Sequence, residues 1–280
     1  MTGPLVAPST GPLTGPLTEP STEPLLHLQG VHTHIGAYHI LHGVDLAVPE
    51  GEVTMLLGRN GAGKTTTLRT VMGLWPASGG EVRFAGRAIG GRAVNGRGAA
   101  KAASRAAPGT PEIARLGIGY VPENMGIFGD LTVRENLLLA ARSARTLAQI
   151  DTVRLEWLFG LFPALEKFWL YPAGKLSGGQ KQMLAIARAM VEPRRLLLID
   201  EPSKGLAPAI VQNLIAALRE LKRTHTTVLM VEQNFAVARA LGDRVAVMDD
   251  GRVVHAGGMA ELVEDASLQQ RLLGLSLGAH

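Results

Sequence analysis

Val53-Thr54-Met55-Leu56-Leu57-Gly58-Arg59-Asn60-Gly61-Ala62-Gly63-Lys64-Thr65-Thr66-Thr67-Leu68-Arg69-Thr70-Val71-Met72 is the stretch that decides the fold. The apolar run Val53–Leu57 predicts a buried strand, and Thr66–Met72 predicts a helix. Between them Gly58–Thr65 fits G-x-x-x-x-G-K-[ST] at every fixed position. Glycines let the backbone N–H groups of such a loop close around a polyphosphate. Lys64 adds a positive charge near the β- and γ-phosphates, and Thr65 offers a hydroxyl to Mg²⁺. A chance glycine-rich turn is the competing reading, and the flanking strand and helix argue against it. Gly58, Arg59, Asn60, Gly61, Ala62, Gly63, Lys64, Thr65 and Thr66 are therefore the expected contacts of a nucleoside triphosphate.

A second constellation lies further along. Leu176-Ser177-Gly178-Gly179-Gln180 precedes a predicted helix whose apolar residues Met183, Ile186, Ala187, Met190 and Val191 recur at helical spacing. Ser177 can cap that helix, and Gly178 and Gly179 leave its first N–H groups bare, which makes the helix start a second anion site. Alone, Ser177-Gly178-Gly179-Gln180 could be an ordinary cap. Its weight comes from the all-apolar run Leu196-Leu197-Leu198-Ile199, which ends in Asp200-Glu201. Such a run suits a buried parallel strand presenting acids at its carboxyl end. There Asp200 would hold Mg²⁺ through water, and Glu201 would act as the base for an attacking water.

These three elements, in this order, resemble the ATP-binding cassette (ABC) transporter ATPases, over about residues 25–275. The resemblance implies an α/β P-loop NTPase fold with an antiparallel β-subdomain and an inserted α-helical subdomain. In that family the signature helix of one subunit closes over the ATP on the P-loop of another. Ser177, Gly178, Gly179 and Gln180 would thus meet a partner's ATP. ATP and Mg²⁺ are the implied cofactors. The implied partners are a second ABC ATPase subunit (a different one, or a copy of this chain), two membrane permease subunits and, indirectly, a periplasmic or extracellular solute-binding protein. The implied location is peripheral, on the cytoplasmic side of the cell membrane.

Several positions depart from the commonest ABC pattern together. After Val121-Pro122 the family usually has a glutamine that touches Mg²⁺ and the membrane partner; here it is Glu123. The usual D-loop aspartate falls at Ala207, and the switch histidine at Gln233. Lys64, Thr65, Asp200 and Glu201 all remain, which argues against a decayed ATPase. Glutamine cannot take up a proton near neutral pH, so the resemblance leaves Glu201 as the base and Gln233 as a sensor of the γ-phosphate. Val-Pro-Glu at 121–123, Asp-Glu-Pro-Ser-Lys-Gly-Leu-Ala-Pro at 200–208 and Val-Glu-Gln-Asn at 231–234 together look like an ATPase subunit of the branched-chain amino acid importers. Urea or short-amide importers are the nearest alternative. The family also places an aromatic ring under adenine from the first hairpin; here Ile35 stands before Gly36, and Tyr38 or His34 could serve, or Tyr38 could be structural.

Composition bounds the rest. Hydrophobic content of 46% beside 19% charge is ordinary for a globular α/β chain of 280 residues. No apolar run is long enough for a transmembrane helix. The first lysine or arginine is Arg59, so the expectation is a chain without a signal or transit peptide. It has no cysteine, which removes disulfides, thiol nucleophiles and Cys-based zinc sites. The net charge of +4 hints at nucleic acid, but residues 82–111 hold six basic residues and no acid, more than the whole excess. No nucleic-acid partner is expected. A non-transport ABC protein would usually carry two cassettes or a long coiled-coil insertion, and neither is present. A regulator that binds ATP without turnover would not need Glu201.

Along the chain, residues 1–24 form a Pro/Thr/Gly tract expected to be a disordered tail. Residues 26–57 and 80–86 alternate with period two and predict the antiparallel subdomain. The Gly/Ala/Arg-rich 87–111 reads as a flexible insertion, with an anionic-lipid or nucleic-acid patch as its rival. Thr132-Val133-Arg134-Glu135 predicts a capping box before a helix from Asn136 to about Ser143, within a helical subdomain at about 124–176. Predicted helices at 208–223 and 234–241 alternate with strands Thr227–Val231 and Arg244–Met248, and 276–280 are a tail. Trp157, Phe159 and Phe162 are expected in the helical core, whereas the consecutive Phe168-Trp169-Leu170-Tyr171 cannot all be buried on one helix face. Its exposed part, with Met125, Ile127 and Phe128, is the expected contact for a membrane subunit.

Overall fold

The run Val53–Leu57 is apolar on both faces because its strand, β3 (Val53–Gly58), lies inside a six-stranded sheet. Neighbours in that sheet run in the order Arg252–Gly258 (β10), Arg244–Asp249 (β9), β3, Thr227–Val231 (β8), Leu196–Asp200 (β7) and Ile118–Val121 (β6). All pairs are parallel except the edge pair β9–β10. Period-two alternation sends Met55, Leu57, Leu197, Ile199, Val228, Met230, Val245 and Val247 into one core. Leu56, Leu196, Leu198, Leu229, Val231, Ala246 and Met248 enter the core on the opposite face. Residues 23–91, 107–141 and 150–274 are described by this computed structural model.

The second core is closed by α1 (Lys64–Val71) and a four-stranded antiparallel sheet, ordered β2 (Tyr38–Val48), β1 (Leu26–Ile35), β4 (Ala77–Phe84), β5 (Arg87–Gly91). Two expectations need correction here. Residues 53–57 belong to the parallel sheet, so the antiparallel subdomain stops at Val48 on that side. Residues 87–91 are not loop: they pair with β4 from Phe84↔Arg87 to Glu81↔Gly91, and Ile89 is fully buried. The strand was hidden because its glycines serve close backbone approach. A Cβ on Gly91 would lie 2.1 Å from the Gly80 carbonyl oxygen, and one on Gly80 would lie 2.1 Å from that of Gly30. The segment also ends in a helix, α2 (Thr110–Arg115), with Ile113 buried. The tails and residues 92–106 of the expected insertion lie outside the described residues, apart from Glu23 and Pro24.

The first core is closed by helices. Thr132 accepts from the Glu135 amide at 3.2 Å and Glu135 accepts from the Thr132 amide at 2.8 Å, the reciprocal box the sequence predicted. It opens α3 (Val133–Ala140) three residues before the expected start, and residues 142–149 lie outside the description. Then come α4 (Thr152–Leu161), α5 (Pro163–Lys167) and α6 (Gly178–Met190). Trp157 and Phe162 are buried in this core as expected, while Phe159 is half-buried and sets its ring edge-on to Trp169. Beyond β7 lie α7 (Pro208–Arg223) and α8 (Phe235–Leu241), then α9 (Met259–Glu264) and α10 (Ala266–Leu273) after β10. No helix among the described residues is long and apolar enough to cross a membrane.

Candidate active site

Parallel pairing aligns the carboxyl ends of the strands. Leu56 is opposite Val231, Val231 opposite Asp200, and Ile199 opposite Val121. The Gly58–Thr65 loop, Glu232-Gln233, Asp200-Glu201 and Glu123 therefore emerge along one edge, where open α/β sheets bind ligands.

The loop is built for a close approach. Gly58 (φ 143°), Gly61 (φ 83°) and Gly63 (φ 99°) take conformations that a side chain would resist, and a Cβ on Gly58 would meet the Met248 carbonyl at 2.2 Å. Among the described residues, the amides of Gly61, Gly63, Lys64 and Thr65 find no backbone acceptor, and α1 has no side-chain cap. They leave a cluster of N–H donors at a helix start, the chemistry of a phosphate site. Lys64 is buried, and burial lowers its ammonium below the usual lysine range despite nearby Glu201. Its Nζ donates to the Gly58 and Arg59 carbonyls at 2.8 and 2.9 Å, and lies 3.9 Å from Glu201 Oε1. Thr66 is buried beside it.

Thr65 Oγ1 donates to Asp200 Oδ1 at 2.9 Å, and the Tyr120 hydroxyl lies 3.5 Å from Oδ2. Burial is the main cause that pushes the Asp200 carboxyl up to about 6, with the Thr65 hydrogen bond opposing it. Glu201 is 8% exposed and has φ 46°, rare for a residue with a side chain. Its amide donates to the Val231 carbonyl at 2.9 Å, which holds that strained backbone against the sheet. Gln233 Nε2 donates to Glu201 Oε1 at 2.5 Å and to Asn60 Oδ1 at 2.6 Å, so it ties the predicted base to the phosphate loop. Glu123 pairs with Lys204 at 2.5 Å, and Lys204 also stands 3.3 Å from Glu201 Oε2.

Among the described residues no group of three or more His, Asp or Glu side chains is placed to hold a metal alone. That suits Mg²⁺, which takes one or two carboxylates and completes its shell with phosphate oxygens and water. The Thr65 hydroxyl beside the buried Asp200 fits such an ion.

Ser177 Oγ accepts from the Gln180 amide at 3.3 Å while Gln180 Oε1 accepts from the Ser177 amide at 2.9 Å. This reciprocal box starts α6 and was only half visible in the sequence. These four residues make no hydrogen bond or ion pair to the phosphate loop of their own chain or to Asp200-Glu201. Gly179 faces inward, where a Cβ would meet Ile210 Cγ2 at 2.4 Å; a Cβ on Gly178 would meet nothing within 4 Å. The exposed ring of Tyr38 stands at the β1–β2 turn, opposite Ile35. His34 stacks on His39 at 4.1 Å and bonds the Ser78 hydroxyl at 2.8 Å.

Sequence reasoning missed Glu232. Buried after β8, its carboxylate accepts from the Ser203 amide and hydroxyl and from the amides of Gln233 and Asn234, at 2.9–3.2 Å. It clamps the loop after β7 to the loop after β8 and so sets Gln233 against Glu201. Burial raises its carboxyl above the usual range, and these hydrogen bonds oppose the rise. An acid directly after the apolar run Val228–Val231 was the available signal. Lys204 and Tyr120 carried none.

The ABC transporter family model matches residues 41–204. A high-affinity branched-chain amino acid transport ATP-binding protein (BraG) of Pseudomonas aeruginosa is 36% identical over 252 residues, covering 89% of this chain and all of that protein. A probable branched-chain amino acid transport ATP-binding protein (LivF) of Archaeoglobus fulgidus is 32% identical, covering 85% of this chain and 93% of its own. Proteins named for methionine import and glutamate transport also match. A solved structure described as the ATP-binding subunit of an ABC transporter superposes with TM-score 0.69 at 29% identity, over 90% of this chain and 96% of that one. The phosphate loop, the Asp200-Glu201 pair and the capped Ser177 helix thus stand in an ABC cassette fold, and the chain belongs to the ABC transporter family, whose members couple ATP hydrolysis to transport.

Proposed function

We propose that this chain is the ATP-hydrolysing subunit of an importer for branched-chain or related hydrophobic amino acids. The observation that carries the solute class is likeness over the full length of a protein named for branched-chain amino acid transport. The segments 121–123, 200–208 and 231–234 support it. The subunit would sit on the cytoplasmic side of the membrane beneath two permease subunits, with a second ATPase completing the pair and a solute-binding protein delivering cargo.

Each residue then has a task. Lys64 and the free amides of the loop hold the β- and γ-phosphates. Thr65 and Asp200 would hold Mg²⁺, and Glu123, which follows the neighbouring strand β6, would join them; when bound, the ion would neutralise phosphate charge. Glu201 accepts a proton from water as the water oxygen bonds to the γ-phosphorus and the bond to the ADP oxygen breaks. Gln233 orients that water and registers the γ-phosphate, since its amide donates and accepts but holds no extra proton. The open start of α6 at Gly178 closes over the partner's ATP.

A surface patch fits the permease. Phe128 is 49%, Leu170 65% and Tyr171 43% exposed. The segments that carry them run side by side through Val133 N to Tyr171 O and Gly174 N to Gly129 O hydrogen bonds. Arg188 joins them to the core by bonding the Gly126 carbonyl and lying over the Phe128 ring at 5.0 Å.

Two measurements test the reading. Glu201→Gln should lower hydrolysis by about 10²–10⁴-fold while ATP binding survives and an ATP-bound dimer accumulates; near-normal hydrolysis places the base elsewhere. Proteoliposomes holding the complex purified with its permease should take up leucine. Uptake of urea or short amides instead would move the solute to that class and leave the ATPase roles intact.

A further inference from the structure

Glu123 and Glu201 leave two different strands, yet one ammonium group lies between them. Lys204 Nζ is 2.5 Å from Glu123 Oε1 and 3.3 Å from Glu201 Oε2. The short contact is the one to Glu123. Glu123 also stands close enough to Asp200 to raise its carboxyl, and Glu201 adds to the same effect. Three carboxylates therefore crowd the carboxyl ends of β6 and β7, and two lysines oppose them. Lys64 is buried and donates to backbone carbonyls, whereas Lys204 is 56% exposed on the turn before α7.

We infer that Lys204 is a positioning residue that competes with Mg²⁺ for Glu123, so that this lysine sets how much Mg²⁺ the chain needs to bind nucleotide tightly. The argument is one of charge and reach, and it rests on the proposed ATPase role. A carboxylate oxygen at hydrogen-bond distance from an ammonium cannot use the same lone pairs on a metal. An ion held by Thr65 and Asp200 would draw on Glu123, directly or through one water, against the pull of Lys204 on the same carboxylate. Released, Lys204 keeps Glu201 Oε2 as a partner, so its charge stays on the carboxylate whose other oxygen Gln233 holds.

The test is a double-mutant cycle on nucleotide binding, read without hydrolysis. Wild type, Lys204→Met, Glu123→Gln and the double variant are titrated with a non-hydrolysable ATP analogue by calorimetry over a series of Mg²⁺ concentrations. Methionine keeps an apolar stem of similar length and removes the charge; position 204 is exposed, so folding should not be at stake. Lys204→Met should lower the half-maximal Mg²⁺ concentration by about two- to fivefold, the size of an ion pair worth up to ~1 kcal/mol. In the Glu123→Gln background the same change should do nothing. Affinity for the analogue without Mg²⁺ should stay within about twofold in Lys204→Met. An equal shift in both backgrounds would overturn the proposal, since removal of any nearby positive charge would then explain it. No shift in either background would overturn it too. A wild-type chain that binds no nucleotide with or without Mg²⁺ would instead defeat the ATPase reading on which the proposal stands.

Discussion

Gly178 and Gly179 are adjacent in sequence, yet one alanine substitution should cost stability and the other function. An alanine Cβ at 179 would sit 2.4 Å from Ile210 Cγ2 and 3.5 Å from Ile210 Cβ. Carbon atoms pack best at about 3.5–4.0 Å, so the methyl must move away by more than 1 Å. Ile210 is β-branched and stiff at χ1, and relief therefore requires α6 and α7 to part. Overpacking of this kind costs about 1–3 kcal/mol. Helix propensity returns less than ~1 kcal/mol in a first turn, which leaves a net loss of about 1–2 kcal/mol. At 178 the added methyl meets nothing within 4 Å, so Gly178→Ala should be neutral or gain up to about 1 kcal/mol. It should nevertheless damage the closed dimer, because the methyl would stand where a partner's γ-phosphate approaches the α6 amides. Urea unfolding measures the first quantity, and ATP-dependent association by light scattering the second. The expected outcome is a lower unfolding midpoint for Gly179→Ala alone, and at least tenfold weaker association for Gly178→Ala with its own ATP affinity unchanged. Normal association of Gly178→Ala would show that the α6 start does not face a phosphate. Unchanged stability of Gly179→Ala would refute the packing argument.

Gln233→Ala removes the amide that joins Glu201 to Asn60. A hydrogen bond to a charged group is worth about 1.5–3 kcal/mol, so single-turnover hydrolysis should fall about 10- to 100-fold; Gln233→His should keep most activity, and a wild-type rate in Gln233→Ala would remove Gln233 from catalysis. His39 lies among His32, His34 and His42, 3.0 Å from His32 Nδ1, and loss of hydration followed by these three imidazoles lowers its pKa below 6.5. A lowered folded value means that the unfolded chain takes up the proton first, so this stability is present above about pH 6.5 and is lost as pH falls through the folded value. The Tm should therefore drop between pH 7.5 and 5.5, and less in His39→Gln; identical slopes would discount the cluster. Asn136 is fully buried and bonds Phe128 N and O and Thr132 O at 2.9–3.0 Å. Asn136→Ala should cost about 2–3 kcal/mol in denaturant unfolding by orphaning these groups, and a loss under 0.5 kcal/mol would mean that water replaces them.

What was legible in the sequence, and what was not, divides along sequence distance. The phosphate loop was legible because its chemistry is local: N–H donors, a lysine and a hydroxyl must follow one strand at fixed spacing, and Gly58 to Thr65 do. Asp200-Glu201 was legible because four apolar residues must precede an acid that a parallel strand presents. Strand β5 was not, since a single buried Ile89 among glycines gives no alternation to read, and the pinch of Gly30, Gly80 and Gly91 exists only once three strands are side by side. The helical spacing of Met183, Ile186, Ala187, Met190 and Val191 marks one side of α6, yet Leu184 and Ala185 are buried along with Ile186 and Ala187 while Met183 is only half-buried. The sheet and its neighbours cover this helix on most sides, and periodicity then loses its contrast. The hydrogen bonds that organise catalysis lie further still from local pattern. Gln233 reaches Asn60 across 173 residues, Glu232 reaches Ser203 across 29, and Lys204 reaches Glu123 across 81. Register in the parallel sheet brings these ends to one edge, and a residue whose partner is set by register leaves no mark beside it in the chain. A motif can therefore name the reacting groups, while the residues that tune them, Glu232 and Lys204, follow only from the strand order.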